Sequence, residues 1–469
     1  MLLALIAILV VTVIPISADD PSLALRVIYF EDFVPNKVRL SIGNHLADLI
    51  SKEDIDVLMI EDQVTALVAL MTNEQSKDFR QAFSVIALIL TDKVDGNLLA
   101  KGNDQIPWAE PPSPDPLLAE PVSLGDGELV WQEDAPPELK FLSIPKSDQV
   151  PADQPRGYLY RNLTWTGVKM YAQDTGVNWQ HNDFQPGPGV PRTSVSYLRP
   201  ASKGPGGYFN RIPEPEKDHR DHGTCVADKA VGRKFGVFKG GTLKMIHLER
   251  WSEAWALAGL QAMLDDMKRQ TDALKGKAVL FVVNMSYSSA NSKTAAGQRS
   301  IALQQKYFQA LVDLGALIVV AAGNDEGPVN GYPALFAQVD SLRKNMIVVG
   351  GVRHNGGKSA RTKTDPLIDV FAPAFGIFRE KGKKPPPGVQ CAGPDSADEV
   401  VRHEGTSMAA PQVAALAAYF YSVHPELRES GLAAQKVKAK IIETAYQRVG
   451  SLNNPLAIYN GEYPLEEEC

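Results

Sequence analysis

The chain has 469 residues, 44% of them hydrophobic and 22% charged, an ordinary globular composition able to bury at least one large core. Its 48 basic and 55 acidic side chains give a formal net charge of -7, which excludes the basic footprint of a nucleic-acid-binding surface. Three cysteines, Cys225, Cys391 and Cys469, allow one disulfide and leave one thiol over.

Residues 1–18 open the chain with Leu2 to Ser17 reading LLALIAILVVTVIPIS, then Ala18 and two aspartates. An apolar run ending in a small residue predicts a signal peptide cleaved after Ala18. The run is short for a bilayer and carries Pro15, against a membrane anchor, and no later segment is apolar for long enough to span. The expectation is an exported, extracellular protein with no membrane attachment once the signal is removed.

Residues 19–105 mix strand-like runs (Leu25 to Phe30, Asp56 to Ile60, Val85 to Leu90) with helical stretches, and predict an N-terminal α/β unit. In residues 106–156 prolines cluster with acidic side chains in PPSPDP, APPEL and PADQP. Proline removes backbone donors and disfavours helix before it, so this stretch reads as an acidic linker or a peripheral wrap.

From 157 to 450 short apolar strands alternate with amphipathic helices, leaving 451–469 as a tail. The strands are Val168 to Ala172, Leu243 to Leu248, Ala278 to Asn284, Ala316 to Ala321 and Met346 to Gly350; the helices include Glu253 to Arg269 and Thr294 to Leu314. This alternation predicts a doubly wound, mostly parallel sheet with helices on both faces. Such sheets hold ligands at the carboxyl ends of their strands. The Gly/Pro-rich stretch Gln185 to Pro213 reads as surface loop.

Four short segments carry chemistry. In EGTSMAAPQVAALAAYF, Gly405-Thr406-Ser407 turns into an Ala-rich helix, which places Ser407 in the positive field of a helix N-terminus. Taken alone, Ser407 reads as a plain N-cap, which is what most serines before helices do. In DHGTCVA, His222 precedes a small-residue helix and offers an imidazole whose ordinary pKa of about 6.5 suits a general base. His219 competes for that role. Asp174 ends the strand of VKMYAQDTGV, where a carboxylate could orient an imidazole or simply shape an Asx turn. In VVAAGNDEG, the Asn324 carboxamide could donate to an oxyanion, or mark a generic turn.

Their order, Asp then His then Ser on an α/β framework, is that of subtilisin. DTG, HGT, AAGN and GTSMAAP resemble the four signature blocks of the subtilase family of serine endopeptidases, and VVNMS, YPA and FAP resemble weaker landmarks. The resemblance runs from about 157 to 448 and implies the subtilisin-like fold. It also implies acyl transfer with Ser407 as nucleophile, His222 as base, Asp174 as its orienter and Asn324 as oxyanion donor. Protein or peptide substrates would lie between Ser286-Tyr287-Ser288-Ser289 and Ala321-Ala322-Gly323. Tyr287 and Ser289 depart from the usual Ser-Leu-Gly-Gly, so substrate preference does not carry over. Gln173, Glu404 and Ala374 are further departures, and Gln173 needs a polar partner if its strand is buried.

The family also implies a zymogen, with residues 19–105 either a propeptide able to inhibit the cleft or a retained accessory domain, and a monomeric enzyme needing no cofactor for chemistry. Structural calcium is common in the family, but no carboxylate cluster identifies a metal site; Asp183, Asp365 and Asp369 read as loop charges. Because Cys225 falls inside the HGT block, it is expected to be a small buried hydrophobe, and Cys391 with Cys469 the disulfide. Asn162-Leu-Thr is a glycosylation candidate, whereas Asn284-Met-Ser lies in a strand expected to be buried.

GGVRHNGGKS fails the phosphate-loop spacing at Val352; the zinc-protease pair and the G-x-S-x-G elbow are absent from the sequence. Two rival functions are a non-catalytic binding protein on this fold, disfavoured by the intact triad, and a tripeptidyl-type exopeptidase, disfavoured by HGT.

Overall fold

The computed structural model describes residues 23–30, 34–51, 54–83, 86–93, 127–146, 157–163, 167–185, 194–198, 218, 221–248, 251–274, 280–290, 293–353, 356–357, 362–375, 388–448 and 455–462. The expected signal peptide, His219, the proline-rich run 106–126, most of the loop from 185 to 213 and Cys469 lie outside the described residues.

The N-terminal unit follows period-two alternation. In β1 (Ala24–Phe30), Leu25, Val27 and Tyr29 join one core, and Ile28 and Phe30 another. With β2 (Ile55–Ile60), β3 (Gln63–Met71) and β4 (Ile86–Lys93) it forms an antiparallel sheet of order β2-β3-β1-β4. The second core is shared with α1 (Asn36–Leu49) and α2 (Asn73–Ala82). A capping box starts α2: Gln75 N donates to Thr72 Oγ1, and Thr72 N donates to Gln75 Oε1. β3 has no counterpart among the sequence expectations, because its Ala- and Leu-rich run carries no strand-specific period.

The stretch read as linker contains ordered structure. β5 (Glu128–Gln132) pairs antiparallel with β6 (Tyr158–Asn162), and α3 (Pro137–Leu142) lies between them in the chain. Prolines 136 and 137 start that helix, where a missing N–H costs nothing. Leu139, Phe141 and Leu142 are buried in the main core, so this segment is part of the larger body.

That body is a seven-stranded parallel sheet. Its strands are β7 (Lys169–Asp174), β8 (Ser194–Leu198), β9 (Thr242–His247), β10 (Phe281–Met285), β12 (Ala316–Ala321), β14 (Met346–Arg353) and β15 (Val370–Phe375). The order is β15-β14-β12-β10-β7-β9-β8. Two-residue strands β11 (Ser289–Ala290) and β13 (Gly331–Tyr332) pair outside it. The predicted strands lie within a few residues of these bounds, and each is buried on both faces, as a parallel sheet between helices requires.

On one face α4 (Gly223–Val231), α7 (Thr406–Val423) and α8 (Ala433–Thr444) pack over Met170, Ala172, Val282 and Val319; α5 (Glu253–Ala273) and α6 (Ala295–Asp313) cover Tyr171, Phe281, Val283 and Val320 on the other. The N-terminal sheet extends this second core outward, with Leu25, Val27, Tyr29 and Leu58 in the same cluster as Leu257, Leu260 and Tyr307. Polar contacts fix the seam: Gln261 Oε1 accepts from Met59 N at 2.7 Å and from Tyr307 OH at 2.8 Å. Gln173, fully buried in β7, donates to Ala256 O at 3.0 Å and so finds the partner its position demands.

The tail is also partly built in. Ile458 N donates to Phe371 O and Phe371 N to Leu456 O, both at 2.9 Å. Asp183, Asp365 and Asp369 are more than loop charges. Asp183 caps Lys234 N and Phe235 N, Asp365 accepts from Val329 N and Leu367 N, and Asp369 is held bidentately by Arg343.

The cysteine expectation is corrected. Cys225 and Cys391 form the disulfide, tying α4 to the hairpin of β16 (Val389–Ala392) and β17 (Val400–His403). The reason is packing: α4 lies against β16 and brings the two Cα atoms to 5.1 Å, within bridging range. A bridge across 166 residues restricts the unfolded chain strongly. Cys391→Ala is expected to lower the free energy of unfolding by about 2–5 kcal/mol. Denaturant titration checks this, beside a non-reducing peptide map that should join Cys225 to Cys391; unchanged stability with no such cross-link would refute the pairing.

Candidate active site

Three neighbouring strands deliver the predicted residues to one edge. β7 ends at Asp174, β10 runs into Ser286, and β12 runs into Ala322-Gly323-Asn324. Because the strands are parallel, all three carboxyl ends share that edge.

Asp174 is fully buried, and its Oδ1 accepts from His222 Nδ1 at 2.7 Å and from Thr175 N at 2.8 Å. With Nδ1 as donor, His222 Nε2 carries the lone pair. His222 stands immediately before α4, and Asp218 holds its backbone by accepting from His222 N at 3.0 Å and Thr224 N at 2.8 Å. Thr175 Oγ1 completes the clamp, donating to Asp218 Oδ1 and accepting from Gly223 N, both at 2.9 Å. A Cβ on Gly223 would sit 2.1 Å from Gly176 O, so glycine in HGT lets α4 approach the DTG turn.

Burial alone would push the His222 imidazole down, but the charge and hydrogen bond of Asp174, with Asp218 and Asp221 nearby, carry it above its ordinary value. The Trp251 ring stands edge-on to the imidazole at 6.1 Å and packs on Tyr287 at 5.1 Å.

Ser407 lies in the first turn of α7, partly exposed, where amides lack helical partners. Its carbonyl accepts from Ser286 Oγ at 2.7 Å, and Ser286 Oγ in turn accepts from Asn284 Nδ2 at 2.9 Å. Asn324 Oδ1 accepts from Thr406 N at 2.7 Å and Thr406 Oγ1 at 2.9 Å, so its Nδ2 is the end left to act as a donor. Gly405, at φ +126°, has no room for a side chain: a Cβ would meet Asn324 Nδ2 at 2.8 Å.

Two cavities open here. One of about 860 Å³ is lined by His222, Trp251, Glu253 and Tyr287 to Ser289; the other, about 360 Å³, by Ser407, Asn324, Ala321, Gly323 and Gly331. They share Tyr287 and Ser288 and so form one cleft. Among the described residues no hydrogen bond joins the His222 ring to the Ser407 hydroxyl, a contact that in such sites often tightens only with substrate present. Ala322 lines neither cavity; its amide donates to Val349 O. Asn162 ends β6 half-buried, and Thr164 of its sequon lies outside the described residues, whereas Asn284 is buried as expected.

The sequence pattern of the subtilase family matches residues 166–459. The chain belongs to the subtilase family. Among its relatives are the subtilase-type proteinase psp3 of Schizosaccharomyces pombe, 28% identical over 60% of this chain and 53% of that protein, and alkaline protease 2 of Aspergillus fumigatus, 28% identical over 62% and 52%. The chain thus spans about half the length of these curated relatives. A cold-adapted subtilisin-like serine proteinase of known structure superposes with TM-score 0.50 at 21% identity, over 70% of this chain and 98% of that one, and supports the subtilisin-like fold.

Within that family framework, several residues of the site were not singled out from sequence. Asp218 bonds the His222 backbone and Trp251 packs on its ring, while Thr175 acts one step removed, through Asp218 and Gly223. The signal for Asp218 was an acidic residue four positions before the histidine, where a helix start needs an acceptor. Among the described residues no group of three or more His, Cys, Asp or Glu gathers as a metal site. No described helix is long and apolar enough to cross a membrane.

His222 is expected to titrate above pH 6.5 when followed by imidazole NMR in a Ser407→Ala protein. Asp174→Asn should move the midpoint down, because it removes the carboxylate that favours the imidazolium. A midpoint unmoved by that change would contradict the assigned pairing.

Proposed function

We propose that this subtilase is a serine endopeptidase acting on proteins or peptides, exported with a signal peptide and held as a zymogen by its N-terminal unit. The observation that carries the reading is the 2.7 Å bond from His222 Nδ1 to buried Asp174, at a cleft that also holds Ser407 and Asn324.

Ser407 Oγ attacks the substrate carbonyl as His222 Nε2 takes its proton, and Asp174 stabilises the imidazolium that forms. Asn324 Nδ2 and the Ser407 amide bind the developing oxyanion, aided by the N-terminal field of α7. His222 returns the proton to the leaving amine, giving a Ser407 ester, and the same base then activates water to release the acid. An extended substrate lies along Ser286 to Ser289 and Ala321 to Gly323 by strand addition. The chemistry calls on no cofactor, and a monomer suffices because every group comes from one chain.

The neutral form of His222 is the base, so activity falls as pH drops through its raised pKa. The acid limb of kcat/KM therefore lies above pH 6.5. Hydrolysis of an unfolded protein should be lost by about 10⁶ in kcat in Ser407→Ala and by about 10²–10³ in Asn324→Ala, the orders known for subtilisin. Turnover retained in Ser407→Ala would remove the mechanism.

The inhibitor reading rests on where the N-terminal sheet docks. It covers α5 and α6, and Tyr29 OH donates to Glu253 Oε1 at 3.1 Å, a residue of the larger cavity's wall. Amino-terminal sequencing of the exported, active protein should find a start beyond residue 105. An active chain beginning at Asp19 would refute removal of the unit.

A further inference from the structure

In any acyl transfer at Ser407, the residue that supplies the carbonyl must place its side chain beside Ser407 and Asn324. The 360 Å³ cavity is the open space beside those two residues. This inference rests on the peptidase reading and concerns which side chain that cavity accepts.

Asp325 is the one carboxylate in the cavity's lining. An unpartnered aspartate there would favour lysine or arginine. It is not unpartnered: Lys363 Nζ donates to Asp325 Oδ2 at 2.6 Å. The two differ sharply in exposure, the Lys363 side chain being 1% exposed and the Asp325 side chain 65%. Lys363 reaches Asp325 from a buried position. Its Cε lies 3.1 Å from where a Cβ on Gly323 would be, so its stem fills the space left open by that glycine. The ammonium hydrogen bond holds the Asp325 carboxyl below its usual range.

A buried ammonium depends on its counter-charge. Among the described residues Asp325 is the only side chain that Lys363 Nζ bonds. A cationic substrate side chain that approaches Asp325 meets a carboxylate whose charge Lys363 already offsets, and gains little from it unless it draws Asp325 away from the buried ammonium. We propose that Lys363 is a specificity-determining residue: it neutralises Asp325 from within the fold and makes the cavity select an uncharged side chain on the acyl side of the cleaved bond. Ser288 and Asn330 provide polar contacts in the wall, and Tyr287 an aromatic face.

The test is a set of fluorogenic peptides differing only at that position, carrying Leu, Phe, Gln, Lys or Arg, hydrolysed by the exported protein after removal of its N-terminal unit. Wild-type kcat/KM should be at least about tenfold lower for Lys and Arg than for the best uncharged residue. In Lys363→Met the Lys-to-Leu ratio should rise by about tenfold, because Asp325 is freed. In Lys363→Met/Asp325→Asn it should fall back, which loss of packing alone would not produce. A wild-type preference for Lys or Arg overturns the assignment without any variant. A folded Lys363→Met or Lys363→Gln whose ratio stays within about twofold of wild type also overturns it. A processed wild-type protein that cleaves none of the peptides, at any side chain, removes the peptidase reading itself and this inference with it.

Discussion

At the end of β7 the Asp174 carboxylate is removed from water and meets His222 Nδ1 at 2.7 Å. A buried carboxylate is costly unless donors compensate it. The imidazole and Thr175 N both donate to its Oδ1, and the first of these bonds fixes the tautomer and the direction of His222. The remaining groups are arranged around that axis. Asp218 holds the backbone of His222 and Thr175 that of Gly223 beside it, and the Cys225–Cys391 bridge anchors α4 one turn further along. On the Ser407 side, Asn284, Ser286 and Asn324 hold the turn that starts α7.

The parallel sheet makes this convergence possible. β7, β10 and β12 are neighbours running in one direction, so Asp174, Ser286 and Asn324 emerge at a common edge although they are far apart in sequence. The N-terminal sheet uses the same apolar logic. One of its faces closes its own small core, and the other completes the core over α5 and α6. With that sheet gone, Leu25, Val27 and Tyr29 would no longer cover Leu257 and Leu260, and those helices would present an apolar surface.

The parts legible from sequence were those written in local pattern. Apolar runs such as Ala316–Ala321 gave their strand bounds directly, and the four signature blocks pointed to side chains that the fold gathers at one cleft. What stayed hidden depends on contacts between distant residues. Cys391 meets Cys225 only because α4 packs on β16, and spacing alone could not choose that pairing over one with Cys469. Prolines 136 and 137 suggested a linker, whereas proline at a helix start is compatible with burial of Leu139 and Phe141 a turn later. Lys363 lies 38 residues beyond Asp325, and nothing local marks it as buried.

The central physical claim is that a buried carboxylate and an oriented imidazole make one serine hydroxyl unusually nucleophilic. Covalent labelling of the active, exported protein with a fluorophosphonate, followed by peptide mapping, tests it most directly. The account predicts one adduct, on Ser407, abolished by His222→Ala. An active protein that takes up no label, or takes it on another serine, would contradict it.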